Sequence, residues 1–497
     1  MSRHYLRIEG VNLGAVFDDT QQVSVIRGAS YLLREAARCL PDWLKERDPR
    51  FVLDPISIGA SVGLYACDTG DPDALCDAVR RLLRERETYQ HFTFVADVVP
   101  VSSDFRADLE ELVAANRWQQ MSLPSLSLAG LDAQCKEPCS WNGIRPADGH
   151  SVNRDDEQLP MSDSVASRFD AGSDLRNAFY VNEAGKEFGS CSFTDDLNQL
   201  AHMDRSDGLS NKIAVIYLDG NRFGTLQRDL CQSEAKQRQF DDCVQVSRSR
   251  YLAAFLRHAQ QSTDYLTNNE QLRVEVLMWG GDEVLLVVPG WCGLDALNFF
   301  FDTSRDWQFE GHPLTHAGGL VFANCKTPLS RLCDLAVSLV EGFKDQLASG
   351  ELRNGFDYIV LESIDYPTQP LQRFREQVFG AALAATRTPL APMPWDCGKD
   401  VTALHAVPKG QCRTLVRAVL KEGGMSGAAI LARERFEKVA GEEGANGASG
   451  KELVANAAAA AGRLFASARR VPDEWLWLHS VDLWDYLPGP SRKEVQP

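Results

Sequence analysis

Three carboxylates stand out by where they fall in the chain. Asp219 follows the apolar run Ile213 to Tyr217, in Leu218-Asp219-Gly220-Asn221-Arg222-Phe223-Gly224. Asp282 and Glu283 lie further on, in Gly280-Gly281-Asp282-Glu283, between the apolar runs Val274 to Met278 and Val284 to Val288. The first pattern predicts a buried strand that ends in an acid and turns through glycines into a helix. The second predicts a hairpin with both acids at its tight turn. If the two strands pair, three carboxylates converge at one sheet edge. No basic residue in either motif clearly offsets that repulsion. A divalent cation would, and metal with a nucleoside triphosphate is the usual reason for such a cluster.

The predicted Mg²⁺ (or Mn²⁺) set is Leu218, Asp219, Asp282 and Glu283, with Asp219, Asp282 and Glu283 as the catalytic residues. Two metals need more anionic oxygens than these supply, and phosphates provide the rest. Gly280 and Gly281 let backbone approach a triphosphate with no Cβ in the way. The turn Gly220 to Gly224, opening a helix, offers amide donors for the outer phosphates. Within it Arg222 reads equally as a phosphate ligand or a solvated group, and Phe223 as a core anchor. Lys344 either reaches a phosphate or sits on a solvated helix face. The competing reading of the whole constellation is an acidic hairpin without catalysis.

The elements that would position these residues occur twice in outline. Ile8 to Gly14 matches Leu218 to Gly224 in pattern: apolar, acid, Gly, two residues, apolar, Gly. Ile58-Gly59-Ala60-Ser61-Val62-Gly63 then stands where the acidic hairpin stands in the second copy, with the glycine and both acids replaced. Each copy continues into a helical pattern, Asp73 to Arg86 with Leu75, Val79, Leu82 and Leu83 on one face, and Leu329 to Leu347 with Leu332, Leu335, Leu339 and Phe343. The reading is a duplicated α/β (α+β) domain, one copy able to hold metal and one not.

The predicted domains are 1–122, the degenerate copy; 123–211, a loop-rich insert; 212–385, the catalytic copy; and 386–497, a helical C-terminal domain. The insert is rich in Ser, Asp, Gly and Pro and carries Cys135 and Cys139, then Cys191, a candidate zinc set that lacks a clean second pair. Phe356 to Leu361 reads as a last strand. Cys412 to Lys421, Ala428 to Val439 and Glu452 to Arg470 read as helices, and Trp475, Trp477 and Trp484 as packing residues rather than base-stacking ones.

At 497 residues the chain exceeds one ordinary core. Hydrophobic content of 44% and charged content of 24% describe a globular protein. A net charge of -17 argues against a protein devoted to coating nucleic acid. Thirteen scattered cysteines suggest reduced thiols in a cytosol, and no secretory signal or bilayer-spanning run is visible, so the expected location is cytoplasmic.

On these residues the chain resembles the palm-type polymerase and cyclase superfamily that includes the GGDEF cyclases. It is most similar to the large palm-polymerase subunit of type III CRISPR effector complexes and its stand-alone relatives. Leu218 to Gly224 resembles that family's Asp-Gly-Asp-x-Met-Gly motif, and Gly280 to Glu283 its Gly-Gly-Asp-Asp. Ile26-Arg27-Gly28-Ala29-Ser30-Tyr31-Leu32-Leu33 resembles the Arg-Gly-Gly-Ser-Leu-Leu stretch of its first palm. The Cys135/Cys139 segment is similar to its zinc-bearing insert, and Val407 to Leu415 to the start of its helical domain. The resemblance implies two ferredoxin-like palms facing each other, with the active site in the second. It also implies conversion of ATP to 3′–5′ cyclic oligonucleotides that serve as second messengers in antiviral defence. Guide or target RNA and small CRISPR-type subunits, or further copies of the chain, are the implied partners.

The departures set the alternatives. Asn221 replaces an acid, Glu283 replaces an Asp, and Val284 stands where GGDEF has Phe. No His-Asp nuclease domain precedes the first strand, which starts near Tyr5, so DNA cleavage of that type is not expected. The competing functions are a non-catalytic scaffold of an RNA-guided complex and a dinucleotide cyclase that uses GTP.

Overall fold

The computed structural model describes residues 2–124, 137–154, 157–203, 208–348, 351–362, 366–443 and 449–488. The N-terminal unit runs β1 (Ser2–Val11), a single turn α1 (Gly14–Phe17), α2 (Val23–Arg47), β2 (Leu53–Ile58), β3 (Val62–Thr69), α3 (Pro72–Glu85), β4 (Thr93–Pro100) and α4 (Phe105–Ser122). Its four strands are antiparallel in the order β2-β3-β1-β4. Helix α3 starts where the sequence says it must. Asp71 accepts from the Ala74 amide as N-cap and Pro72 takes the first position, while Leu75, Val79, Leu82 and Leu83 are buried.

The second unit runs β7 (Lys212–Gly220), α7 (Phe223–Leu230), α8 (Glu234–Gln261), β8 (Glu275–Gly280), β9 (Glu283–Pro289), α9 (Gly293–Thr303), a small hairpin of β10 (Gln308–Phe309) and β11 (His312–Pro313), β12 (His316–Asn324), α10 (Leu329–Asp345) and β13 (Gly355–Val360). The sheet order is β13-β12-β7-β9-β8, with β13 parallel to β12 and the other pairs antiparallel. Connectivity and strand order thus recur: β8-β9-β7-β12 in the second unit repeats β2-β3-β1-β4 in the first. Strand β7 is central and buried from Lys212 to Leu218, which explains its unbroken apolar run. The packing between units is reciprocal, α2 against β8 and α8 against β2.

Among its described residues, the segment between the units is more regular than the loop-rich insert expected from its composition. It holds a hairpin, β5 (His150–Arg154) with β6 (Glu157–Met161), then α5 (Asp163–Glu183), a helix of 21 residues, and the short α6 (Leu197–Ala201). Helix α5 packs along α2 at very close range. A Cβ on Gly28 would overlap the Arg168 carbonyl, and one on Gly172 the Ser24 carbonyl. Small residues at the crossing, with Val165, Phe179 and Tyr180 buried, carry the helix, while its exposed Ser and Asp residues make the segment read as loop. Arg27 locks the arrangement by donating to Gly172 O at 2.8 Å and pairing with Glu275 of β8 at 2.7 Å. The Arg-Gly stretch singled out in the sequence is therefore a structural fastener.

The C-terminal part is helical: α11 (Leu371–Phe379), α12 (Ala381–Ala384), α13 (Gly398–His405), α14 (Lys409–Glu422), α15 (Ala428–Glu443), α16 (Gly450–Leu464) and α17 (Asp473–Leu483). Helix α16 ends at Leu464, short of the predicted Arg470. The Ala466 carbonyl accepts from the Ala391 amide at 2.7 Å and Ser467 Oγ donates to Pro389 O, so the proline-rich linker draws the chain out of the helix. Trp475, Trp477 and Trp484 are buried, as packing residues. Buried Asp357 of β13 joins this region to the sheet through Arg375 at 2.9 Å and Arg387, both partly buried. Asp357→Asn leaves two guanidinium groups uncompensated. It is expected to cost about 3–5 kcal/mol, read as a lowered midpoint in urea unfolding.

Candidate active site at the facing hairpins

Strand β7 delivers Asp219 to its C-terminal end, and β9 lies beside it with Leu218 opposite Val284. Strands β8 and β9 are joined by the two-residue turn Gly281-Asp282, with Gly280 opposite Glu283. Gly281 has φ +56, the left-handed region where glycine carries no steric penalty. Arg248 of α8 fixes this turn. It is buried, lies over the Trp279 ring at 5.2 Å, and donates from Nη1 to Gly281 O at 2.7 Å. No motif or period in the sequence marks Arg248, because its partner is brought to it by the fold.

The strand register brings Asp219, Asp282 and Glu283 to adjoining strand ends, close enough for the Asp219 charge to act on both hairpin acids. Burial, then the Asp219 charge, pushes the Asp282 carboxyl from 3.8 up to about 7. Burial also raises Glu283, against the pull of a hydrogen bond from Tyr217 OH to Glu283 Oε1 at 2.8 Å. The Tyr217 phenol is pushed well up by burial and by Glu283. Asp219 pairs with Lys344 of α10, whose Nζ lies 2.6 Å from Asp219 Oδ2 and 2.9 Å from Gly220 O. Lys344 is thus not a plain solvated group: it neutralises the strand-end acid. Removing it by Lys344→Met is expected to raise the Asp282 midpoint further, since its charge now holds that carboxyl down. The check is the pH dependence of thermal stability without metal.

The five-residue turn after β7 divides its labour. A Cβ on Gly220 would lie 2.5 Å from the Phe223 ring, which is buried against Phe240 and His316. Asn221 is buried and donates from Nδ2 to Arg353 O at 2.8 Å and Thr315 Oγ1 at 3.1 Å. Its backbone N–H donates to Thr315 O at 2.8 Å, so both its amides have partners within the protein. Arg222 adopts φ +59 at the start of α7 and donates to Ala348 O at 3.1 Å. Gly224, with open space around it, faces the cleft, and no side chain caps α7. Leu218 is fully buried and paired on both sides within the sheet.

That cleft, of about 740 Å³, lies between the two units. Gly280 to Glu283 and Gly224 form one wall, and Gly59 to Val62 with Arg106 of α4 form the other. The hairpin that lost its acids therefore faces the one that kept them. The contact is tight, since a Cβ on Gly280 would overlap Ala60.

Carboxylate oxygens are the donors that hard divalent cations take, and the raised Asp282 records a repulsion that a cation would relieve. The set fits such an ion chemically. It is not a finished cage: among the described residues no group of three His, Cys, Asp or Glu side chains is placed to hold a metal as it stands. Lys344 occupies Asp219 Oδ2 and Tyr217 OH occupies Glu283 Oε1. Two of the three candidate zinc residues lie among the described residues. Cys139 is buried beside Val25, Met161 and Val165, whereas Cys191 packs on a different core and accepts from Gln260 Nε2 at 3.2 Å. Cys135 lies outside the described residues. Cys139 and Cys191 thus belong to different cores among the described residues. Among the described residues no helix is long and apolar enough to cross a membrane.

No protein-family profile and no curated protein sequence matches the chain. Solved structures do, over 98% of its length. The crystal structure of Csm1 in T.onnurineus superposes with a TM-score of 0.53 at 11% identity, covering 69% of that chain. The Csm1-Csm4 cassette in complex with cA4 gives 0.51 at 12% identity, and the cassette in complex with AMPPNP gives 0.50 at 12%, each covering 70% of that chain and 98% of this one. At these identities the likeness is one of fold. It is the fold of the type III CRISPR palm-polymerase subunit that the motifs resemble.

Proposed function

We propose that the facing hairpins are a metal-dependent nucleotidyltransferase site that joins ATP into cyclic oligonucleotides for CRISPR-type antiviral defence. The two units are, in this reading, ferredoxin-like palms, the second catalytic and the first degenerate. The observation that carries it is that Asp219, Asp282 and Glu283 come from adjoining strand ends, with Asp282 and Glu283 lining a cleft whose far wall is an acid-free copy of the same hairpin. The fold shared with structures bound to cA4 and AMPPNP supports it.

Bound Mg²⁺ would lower the pKa of a ribose hydroxyl and offset charge on the phosphates and departing pyrophosphate. Asp219, Asp282 and Glu283 are the residues that would hold it. Gly281 and Gly224 let backbone come close to a triphosphate, and the uncapped start of α7 presents amide donors to it. With a cation on Asp219, Lys344 would be free to meet phosphate charge instead. Arg106, on the facing wall, supplies a further cation.

One observation favours the scaffold reading: Asp219 and Glu283 already have partners within the protein. Incubating the purified protein with each labelled nucleoside triphosphate and Mg²⁺ or Mn²⁺, with products read by mass spectrometry, separates the two. Pyrophosphate and a cyclic or oligomeric product support the enzyme and identify the base, ATP or GTP. No product, even with co-purified guide RNA and its target, supports the scaffold.

A further inference from the structure

Helix α8 has 28 residues and touches both hairpins. Asp241 and Arg248 stand seven residues apart on it, which puts them on one face two turns apart. Asp241 reaches the first unit. Its Oδ1 accepts from Ser57 Oγ at 2.8 Å and its Oδ2 from the Ile58 amide at 3.3 Å, at the entry to the acid-free hairpin. Arg248 reaches the second unit through Gly281 O, inside the acidic turn. Between the two attachments the hairpins touch directly, Ala60 against Gly280. The result is a closed loop of contacts: α8 to Ser57 and Ile58, Ala60 to Gly280, and Gly281 back to α8.

We propose that Asp241 and Arg248 are positioning residues that make α8 a common brace for both hairpins, so that the acid-free unit sets the placement of the catalytic carboxylates. The degenerate hairpin then has a task that needs no acids of its own. It requires only a backbone amide, a hydroxyl and a small residue, which is what Ser57, Ile58 and Ala60 supply. Asp241 acts at a distance, through the helix and through the Ala60–Gly280 contact, and touches none of the three carboxylates. Arg248 acts through the Gly281 carbonyl.

Hydrogen exchange by mass spectrometry tests the brace without any assumption about activity. Asp241→Asn is expected to speed exchange about tenfold in the peptide over 277–286 as well as in the peptide over 55–64. Arg248→Lys is expected to do the same in both, and the double variant to add little, because one loop of contacts is already open. Faster exchange confined to 55–64 in Asp241→Asn, with 277–286 unchanged, overturns the proposal. Thermal unfolding of each variant shows whether it remains folded. A second readout rests on the nucleotidyltransferase reading. Asp241→Asn should lower kcat about tenfold with nucleotide KM within twofold, since placement of the acids and not nucleotide capture is disturbed. A wild type that makes no product removes that reading alone, and the exchange result still decides the brace.

Discussion

Asp282→Ala combined with Glu283→Ala is expected to reduce nucleotide product to background, a fall of at least about 10²–10³-fold, with the fold intact. Mass spectrometry of products is the measurement. The variant removes two of three converging carboxylates, and Asp219 alone, paired to Lys344, offers too few oxygens for a cation. The milder Asp282→Asn separates charge from shape, and pH gives the sign. In the folded protein the Asp282 carboxyl titrates near 7 against an ordinary 3.8. Folding therefore favours its protonated form. The stability it contributes is full below about pH 4 and is lost as pH rises through about 7. Without metal, Asp282→Asn should be more stable than the wild type at pH 8 by about 1–3 kcal/mol, and equal to it near pH 4. Added Mg²⁺ should stabilise the wild type at pH 8 and leave Asp282→Asn little changed. Metal and proton compete for the same carboxylates, so the Mg²⁺ effect on the wild type should fade as pH drops below 7.

Gly280→Ala is the second large effect, and it acts through packing. A Cβ at that position would overlap Ala60, including main-chain atoms that have no rotamer by which to move away. The hairpins must part, at a cost of about 1–3 kcal/mol as in other overpacked cores. Urea unfolding measures that cost, and product formation should fall at least about tenfold because the acids move with the strand end. Ala60→Gly in the same chain is expected to restore only part of the loss, since the Ala60 Cα and amide nitrogen still stand in the way. Gly281→Ala makes the contrast. Its Cβ would meet nothing within 4 Å, but φ +56 is unfavourable for alanine, costing about 1–2 kcal/mol by local strain alone. If the two substitutions behaved alike, with the same partial response to Ala60→Gly, interface packing would not be what places the turn.

The sequence carried the local chemistry of this site because that chemistry is written in consecutive residues. An apolar run ending in an acid and two glycines before two acids both reflect backbone geometry, and the structure places Asp219 at a strand end and Asp282 and Glu283 at a tight turn. The echo between Ile8–Gly14 and Leu218–Gly224 was legible for the same reason, and the two sheets repeat one connectivity. Helix α5 is not legible in the sequence because its composition is polar and its partner, α2, lies far away in the chain. The end of α16 was missed because the linker that captures Ala466 is a remote segment.

What the sequence by itself determined is the donor set: which acids, on which strand ends, with which glycines beside them. Only the tertiary structure decided what each of those groups faces. It gave Asp219 to Lys344, Glu283 to Tyr217 and Gly281 to Arg248, set Asn221 to bracing, and split Cys139 from Cys191. The physical reason is range. Strand, turn and helix-start preferences act over a few residues, whereas ion pairs and burial depend on which remote segments the sheets and α8 bring together, and those long-range contacts leave no period or motif in the chain.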